Sequence, residues 1–140
     1  GATEDCKRAV YQYGRLLGIA FQLQDDYLDA FGNPDTFGKQ VGGDIIENKK
    51  TFLYLKALEN SDRKEASNLE HLYSISPMDA SGKIEAVKII FEDSGAAELT
   101  RAEIKKYTNE ALAVLDAIKI PEDKKALLRS FGSSLMEREV

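Results

Sequence analysis

From Thr3 to Phe31 the chain carries apolar residues around most of a helical wheel. Val10, Tyr13, Leu16, Leu17, Ile19, Ala20, Phe21, Leu23, Tyr27, Leu28, Ala30 and Phe31 cover it when successive residues are placed roughly 100° apart. Gly14, Gly18, Gln22, Asp25, Asp26 and Asp29 share one arc of about 120°, with Arg15 inside it, and Gln24 is the polar exception elsewhere. A surface helix has a broad polar face, so this pattern predicts a mostly buried helix with one polar seam. Thr3 is its expected N-cap, followed by Glu4 and Asp5. Each glycine on the seam costs about 1 kcal/mol of helix propensity, which points to a close approach of something to the backbone.

The remaining pattern is also helical. A second helix is expected to open at Asp44, which has capping-box spacing to Glu47, and to run through "TFLYLKAL". A charged helix covers about Asp62 to Leu72. "SGKIEAVKIIFEDSG" predicts another, with Ser81 as cap and Gly95 as stop. "AAELTRAEIKKYTNEALAVLDAI" follows, and then, with Pro121 at a first helical position, "EDKKALLRSFGSSLME". Nothing alternates with period two. The expected architecture is all-α, an antiparallel helical bundle with short connections, forming a single unit over residues 1–140.

Composition narrows the chemistry. The 140 residues suffice for one domain with a real core, and 43% hydrophobic with 31% charged residues is ordinary for a globular chain. A net charge of -5 without a basic stripe argues against nucleic acid as a partner. No apolar run reaches membrane-spanning length, so stable membrane insertion is not expected. The single Cys6 excludes a disulfide framework and a cysteine zinc site, in keeping with a cytoplasmic location. The chain starts at Gly1 without methionine, and the expectation is a piece of something longer.

Asp25, Asp26 and Asp29 repel one another at helical spacings of three and four. One reading is a solvated acidic patch near a helix end. The other, favoured on so apolar a wheel, is a cation site, because burial raises the cost of unpaired charge. Carboxylates at this spacing suit Mg²⁺, which takes one or two of them, keeps several waters and completes its shell with substrate phosphates. The EF-hand register is absent. The following loop, "GNPDTFGK", is no P-loop: its glycines are one residue too far apart, Gln40 replaces the magnesium-binding hydroxyl, and a helix precedes it. Lys39 in that loop, with Lys49 and Lys50 a turn or so inside the next helix, could still hold phosphate oxygens.

Together "GRLLGIAFQLQDDYLD", "FGK" and "GGDIIENKKTFL" resemble the second aspartate-rich region of the trans-isoprenyl diphosphate synthases, the farnesyl and geranylgeranyl diphosphate synthase family. The later "SGAAELTRAEIKKYTNEALAVLDAI" is similar to that family's C-terminal helices. The resemblance implies the C-terminal half of the isoprenoid synthase fold and a Mg²⁺ cofactor. It implies that Asp25, Asp26 and Asp29 hold magnesium against an allylic diphosphate, with Gln22 beside them. Lys39 and Lys49 would contact that diphosphate as catalytic residues, Lys49 being preferred to Lys50 for its offset from Asp44. The implied reaction condenses isopentenyl diphosphate with the allylic diphosphate, and the full-length parent is expected to be a homodimer.

The family also carries a first aspartate-rich motif and basic residues for isopentenyl diphosphate, and neither occurs in this sequence. The expectation is therefore a C-terminal portion that is inactive alone. The alternative is a non-catalytic subunit of a heteromeric prenyl synthase. His71 and Cys6 are expected to be incidental, Arg138 could reach a substrate, and Leu53, Leu55, Ala57 and Leu58 are assigned to the core.

Overall fold

The computed structural model describes residues 4–32 and 41–137. Thr3, Lys39 and Arg138 lie outside these described residues. Among the described residues there are seven helices and no strand, as the periodicity predicts. They are α1 (Glu4–Phe31), α2 (Gly43–Ile46), α3 (Phe52–Asn60), α4 (Arg63–Leu72), α5 (Ser81–Asp93), α6 (Ala96–Ala117) and α7 (Glu122–Met136). The chain divides into two compact units, residues 1–24 with 102–138, and residues 25–101 with the last two.

In the first unit the acids Glu4 and Asp5 sit in the opening turn of α1, where they complement the helix dipole. Lys7 and Arg8 pair with them one turn on, at 3.6 and 3.9 Å, and all four side chains are exposed. The core joins Tyr13, Leu16 and Leu17 to Ala111, Leu115 and Ile118, with Leu128 and Leu135 packed at its margin. The Tyr13 hydroxyl donates to the carbonyl of Leu128 at 2.7 Å. Gly132 makes that contact possible, because a Cβ there would run into Tyr13 Oη. Gln24, the polar exception on the wheel, is buried and donates from Nε2 to the carbonyl of Met136 at 3.1 Å. The seam glycines behave differently from expectation: nothing lies within 4 Å of a Cβ built at Gly14 or Gly18.

In the second unit α2, α3 and α4 each pack against α5, and α3 also packs against α4. Leu28, Ile45, Leu53, Leu69, Val87 and Phe91 are its largest fully buried apolar side chains. Asp62 caps α4 by accepting from the Glu65 N–H at 2.8 Å. Gly95 ends α5 at φ +85°, as its position predicts.

Several local expectations fail for identifiable reasons. The helix predicted to run from Asp44 through "TFLYLKAL" is two helices, separated by a turn in which Asn48 adopts φ +57°. Asp44 forms no capping box; the N-cap of α2 is Gly42, at φ +92°. Ser81 is the first residue of α5, and its N–H and hydroxyl both donate to the exposed Asp79 carboxylate. Pro121 occupies the N-cap of α7, one position before the first helical residue. Leu55 is 53% exposed, whereas Leu53 and Ala57 are buried and Leu58 is partly so. On α3 only one face meets α4 and α5, and Leu55 falls outside it.

Candidate functional site

The last turns of α1 place Asp25, Asp26 and Asp29 in the second unit, Asp25 half-buried and the other two buried. Carboxylates seldom go inside without a partner. Asp29 has one in the backbone: its Oδ1 accepts from the Asp44 N–H at 2.7 Å, and its carbonyl accepts from the Gly42 N–H. The left-handed backbone at Gly42 lets the chain turn onto Asp29, and a side chain there would strike Ile84. The short α2 therefore serves to bring Asp44 beside the three aspartates.

The turn after α2 brings in the cation. Its backbone is closed by the Asn48 N–H on the Ile45 carbonyl at 3.1 Å and the Lys49 N–H on the Asp44 carbonyl at 2.9 Å. Lys49 Nζ then lies 3.6 Å from Asp26 Oδ1 and 4.0 Å from Asp44 Oδ1. The Lys49 side chain is 51% exposed, so the pair adds less than about 1 kcal/mol to folding. Its consequence is electrostatic: Asp26 first, then Asp44, hold the Lys49 ammonium above its ordinary pKa. Asp44 is raised as well, to about 6, which for a carboxylate disfavours the charged form. Burial is the main cause, Asp29 adds to it, and Lys49 opposes it.

Lys49 and Lys50 thus belong to the turn between α2 and α3, not to a helix interior. They part there. Lys49 joins the aspartates, whereas the Lys50 ammonium lies 5.9 Å from the centre of the Tyr54 ring. Gln22 is exposed on α1 within the first unit. His71 is exposed on α4, and Cys6 Sγ lies 3.6 Å from the Lys119 carbonyl in the first unit.

Two features are not legible in the sequence. The five-residue offset of Asp44 to Lys49 marks that pair, but the bond from the Asp44 N–H to Asp29 has no local signal. Tyr73 is buried, stacks on Tyr54 with ring centres 4.3 Å apart, and has its hydroxyl pKa raised. Burial is the chief cause, with Tyr54, Asp44 and Asp29 adding to it. Nothing in the spacing of "HLYSIS" points to that placement.

Among the described residues no three carboxylate, histidine or cysteine side chains converge tightly enough to hold a metal by themselves. The donor chemistry still fits magnesium, which binds through one or two hard carboxylate oxygens and fills its other positions with water and phosphate. Burial is the main cause of the raised Asp44 value, and the like charge of Asp29, Asp26 and Asp25 that adds to it is the kind of repulsion that a divalent cation relieves. No helix among the described residues is long and apolar enough to cross a membrane.

A family model described as Polyprenyl synthetase matches residues 1–90. A short chain isoprenyl diphosphate synthase of Methanothermobacter thermautotrophicus is 34% identical over 131 residues, covering 94% of this chain and 39% of that protein. A solved geranylgeranyl pyrophosphate synthase matches at 44% identity with a TM-score of 0.87, covering 100% of this chain and 44% of that one. The Corynebacterium glutamicum geranylgeranyl pyrophosphate synthase, complexed with isoprenyl diphosphate and magnesium, matches at 32% identity with a TM-score of 0.86. That match covers 99% of this chain and 39% of the other. The chain spans about two fifths of the length of the curated relatives it matches.

Proposed function

The chain belongs to the polyprenyl synthetase family and has the isoprenoid synthase fold, and from that premise we propose that it is the diphosphate-gripping portion of a prenyltransferase. The observation that carries this reading is the Lys49 ammonium lodged against Asp26 and Asp44, with Asp29 hydrogen-bonded to the same Asp44. A substrate diphosphate carries charge that needs both a cation and a metal-holding carboxylate surface, and this turn supplies the two together.

Asp25, Asp26 and Asp29 would hold Mg²⁺ here, with Asp44 supporting them through Asp29. When bound, the metal supplies positive charge to the diphosphate oxygens. Lys49 then orients the diphosphate and neutralises charge that grows as the allylic carbon–oxygen bond breaks, its electron pair leaving with pyrophosphate. Lys39 and Gln22 would contact the same diphosphate in this reading. The double bond of isopentenyl diphosphate attacks the allylic cation, and a proton is lost. Preplaced charge is what this step demands, because a reorganising solvent would have to turn to meet the leaving group.

The reading extends to a full-length parent that is a homodimer in the cytoplasm and supplies the isopentenyl diphosphate site. The 140-residue chain alone is then expected to bind magnesium diphosphate weakly and to make no prenyl product. Titrating the chain calorimetrically with inorganic diphosphate, with and without Mg²⁺, tests the grip. Magnesium-dependent binding that Lys49→Met weakens supports the reading, and binding indifferent to both magnesium and Lys49 refutes it.

A further inference from the structure

We propose that Lys83 is a positioning residue for Lys49, acting through Asn48. Lys83, on α5, is 4% exposed, and lysine is among the residues least often buried. Its ammonium donates to Asn48 Oδ1 and to the Ile75 carbonyl, the latter at 2.8 Å. Asn48 Nδ2 also donates to the Ile75 carbonyl, at 3.4 Å, and the Tyr73 ring centre lies 5.9 Å from the ammonium. Burial depresses the Lys83 pKa, so the charge is held at a cost that these two neutral oxygens only partly offset.

What the ammonium holds is a backbone conformation. Asn48 sits at φ +57°, the left-handed region that asparagine tolerates better than most residues but does not prefer. That reversal sends the next residue back over α2, where the Lys49 N–H meets the Asp44 carbonyl. The Lys49 side chain is half exposed and long, so packing does little to fix it. Its approach to Asp26 depends on where the turn releases it, and the turn is held from outside by Lys83. The inference rests on the reading of Lys49 as a diphosphate-binding residue, and it assigns to Lys83 the control of that residue's position.

The experiment uses Mg²⁺ with inorganic diphosphate as the calorimetric probe on four proteins: wild type, Lys49→Met, Lys83→Met and the double variant. Each single change is expected to weaken binding about tenfold, the effect of losing one charge-assisted contact. The double variant is expected to bind no more weakly than Lys49→Met alone; additive losses would overturn the proposal. A second readout needs no ligand. In wild type, NMR is expected to show the positive φ of Asn48 in its HN–Hα coupling and Lys49 side-chain proximity to Asp26. Both should be lost in Lys83→Met and restored in Lys83→Arg, which keeps the donors; their persistence in Lys83→Met would overturn the proposal. A wild-type chain that binds no magnesium diphosphate would defeat the functional reading of Lys49, while the NMR comparison still decides the positioning role. If Lys83→Met does not fold, Asn48→Ala removes the same contact from the other side and is read in the same way.

Discussion

The backbone N–H of Asp44 donates to Asp29 Oδ1 at 2.7 Å, fastening α2 to the end of α1 through one carboxylate. Asp29 is 9% exposed and also lies on the acidic seam, so a single side chain serves both the architecture and the charge cluster. The aspartates of the seam are therefore not equivalent.

Asp29→Ala should destabilise the chain by roughly 1–3 kcal/mol, because it leaves a part-buried backbone donor without its charged acceptor. Asp29→Asn keeps an oxygen at that position and should cost clearly less. Urea denaturation of both variants checks the order, and equal losses would argue that the hydrogen bond is unimportant.

Asp25→Ala should behave in the opposite way. Asp25 is half-buried, and its replacement should change stability by less than about 1 kcal/mol. In the full-length parent the same change should abolish magnesium-dependent prenyl product formation. Undiminished turnover there would remove the proposed metal role.

Asp44 gives the metal-free chain a pH dependence. Its carboxyl titrates near 6 in the folded state against an ordinary value of 3.8, so the folded chain holds this proton more tightly than the unfolded one. The resulting contribution to stability is present in full below about pH 4 and is lost as pH rises through about 6. Denaturation midpoints measured without divalent cations should show this fall in wild type, and Asp44→Asn should remove that component. A wild-type curve matching that of Asp44→Asn at every pH would contradict the raised value.

Gly132→Ala should destabilise the first unit by about 1–3 kcal/mol, since its Cβ collides with Tyr13 Oη. Tyr13→Phe removes the colliding atom along with the hydrogen bond to Leu128. The double variant should consequently lose less than the sum of the single losses, and thermal melts of the set would measure the coupling. Strict additivity would mean that the helix backbone shifts instead.

Much of the molecule was legible in local pattern. Helix periodicity located α1, α4 and α6, because an amphipathic or buried helix repeats its burial every few residues and leaves that repeat in the chain. Gly95 announced a stop, since a cap satisfies backbone groups within its own neighbourhood. The acidic seam was legible for the same reason: Asp25, Asp26 and Asp29 lie on one helix, and their spacing alone places them on one face.

The break at Asn48 and the destination of Asp44 followed from contacts between residues distant in sequence. Asp44 had an available local role as a cap, but its N–H meets Asp29, fifteen positions earlier. Asn48 had no glycine to announce a left-handed turn; Lys83, thirty-five positions later, grips its side chain. Local propensity ranks conformations that differ by fractions of a kcal/mol, and one buried charge-assisted hydrogen bond outweighs such a difference. The chain pattern thus determined which residues were charged, which face the aspartates share and, through its offset from Asp44, the choice of Lys49 over Lys50, whereas tertiary packing decided the turn at Asn48 and the fastening of Asp44 to Asp29 that bring Lys49 to Asp26.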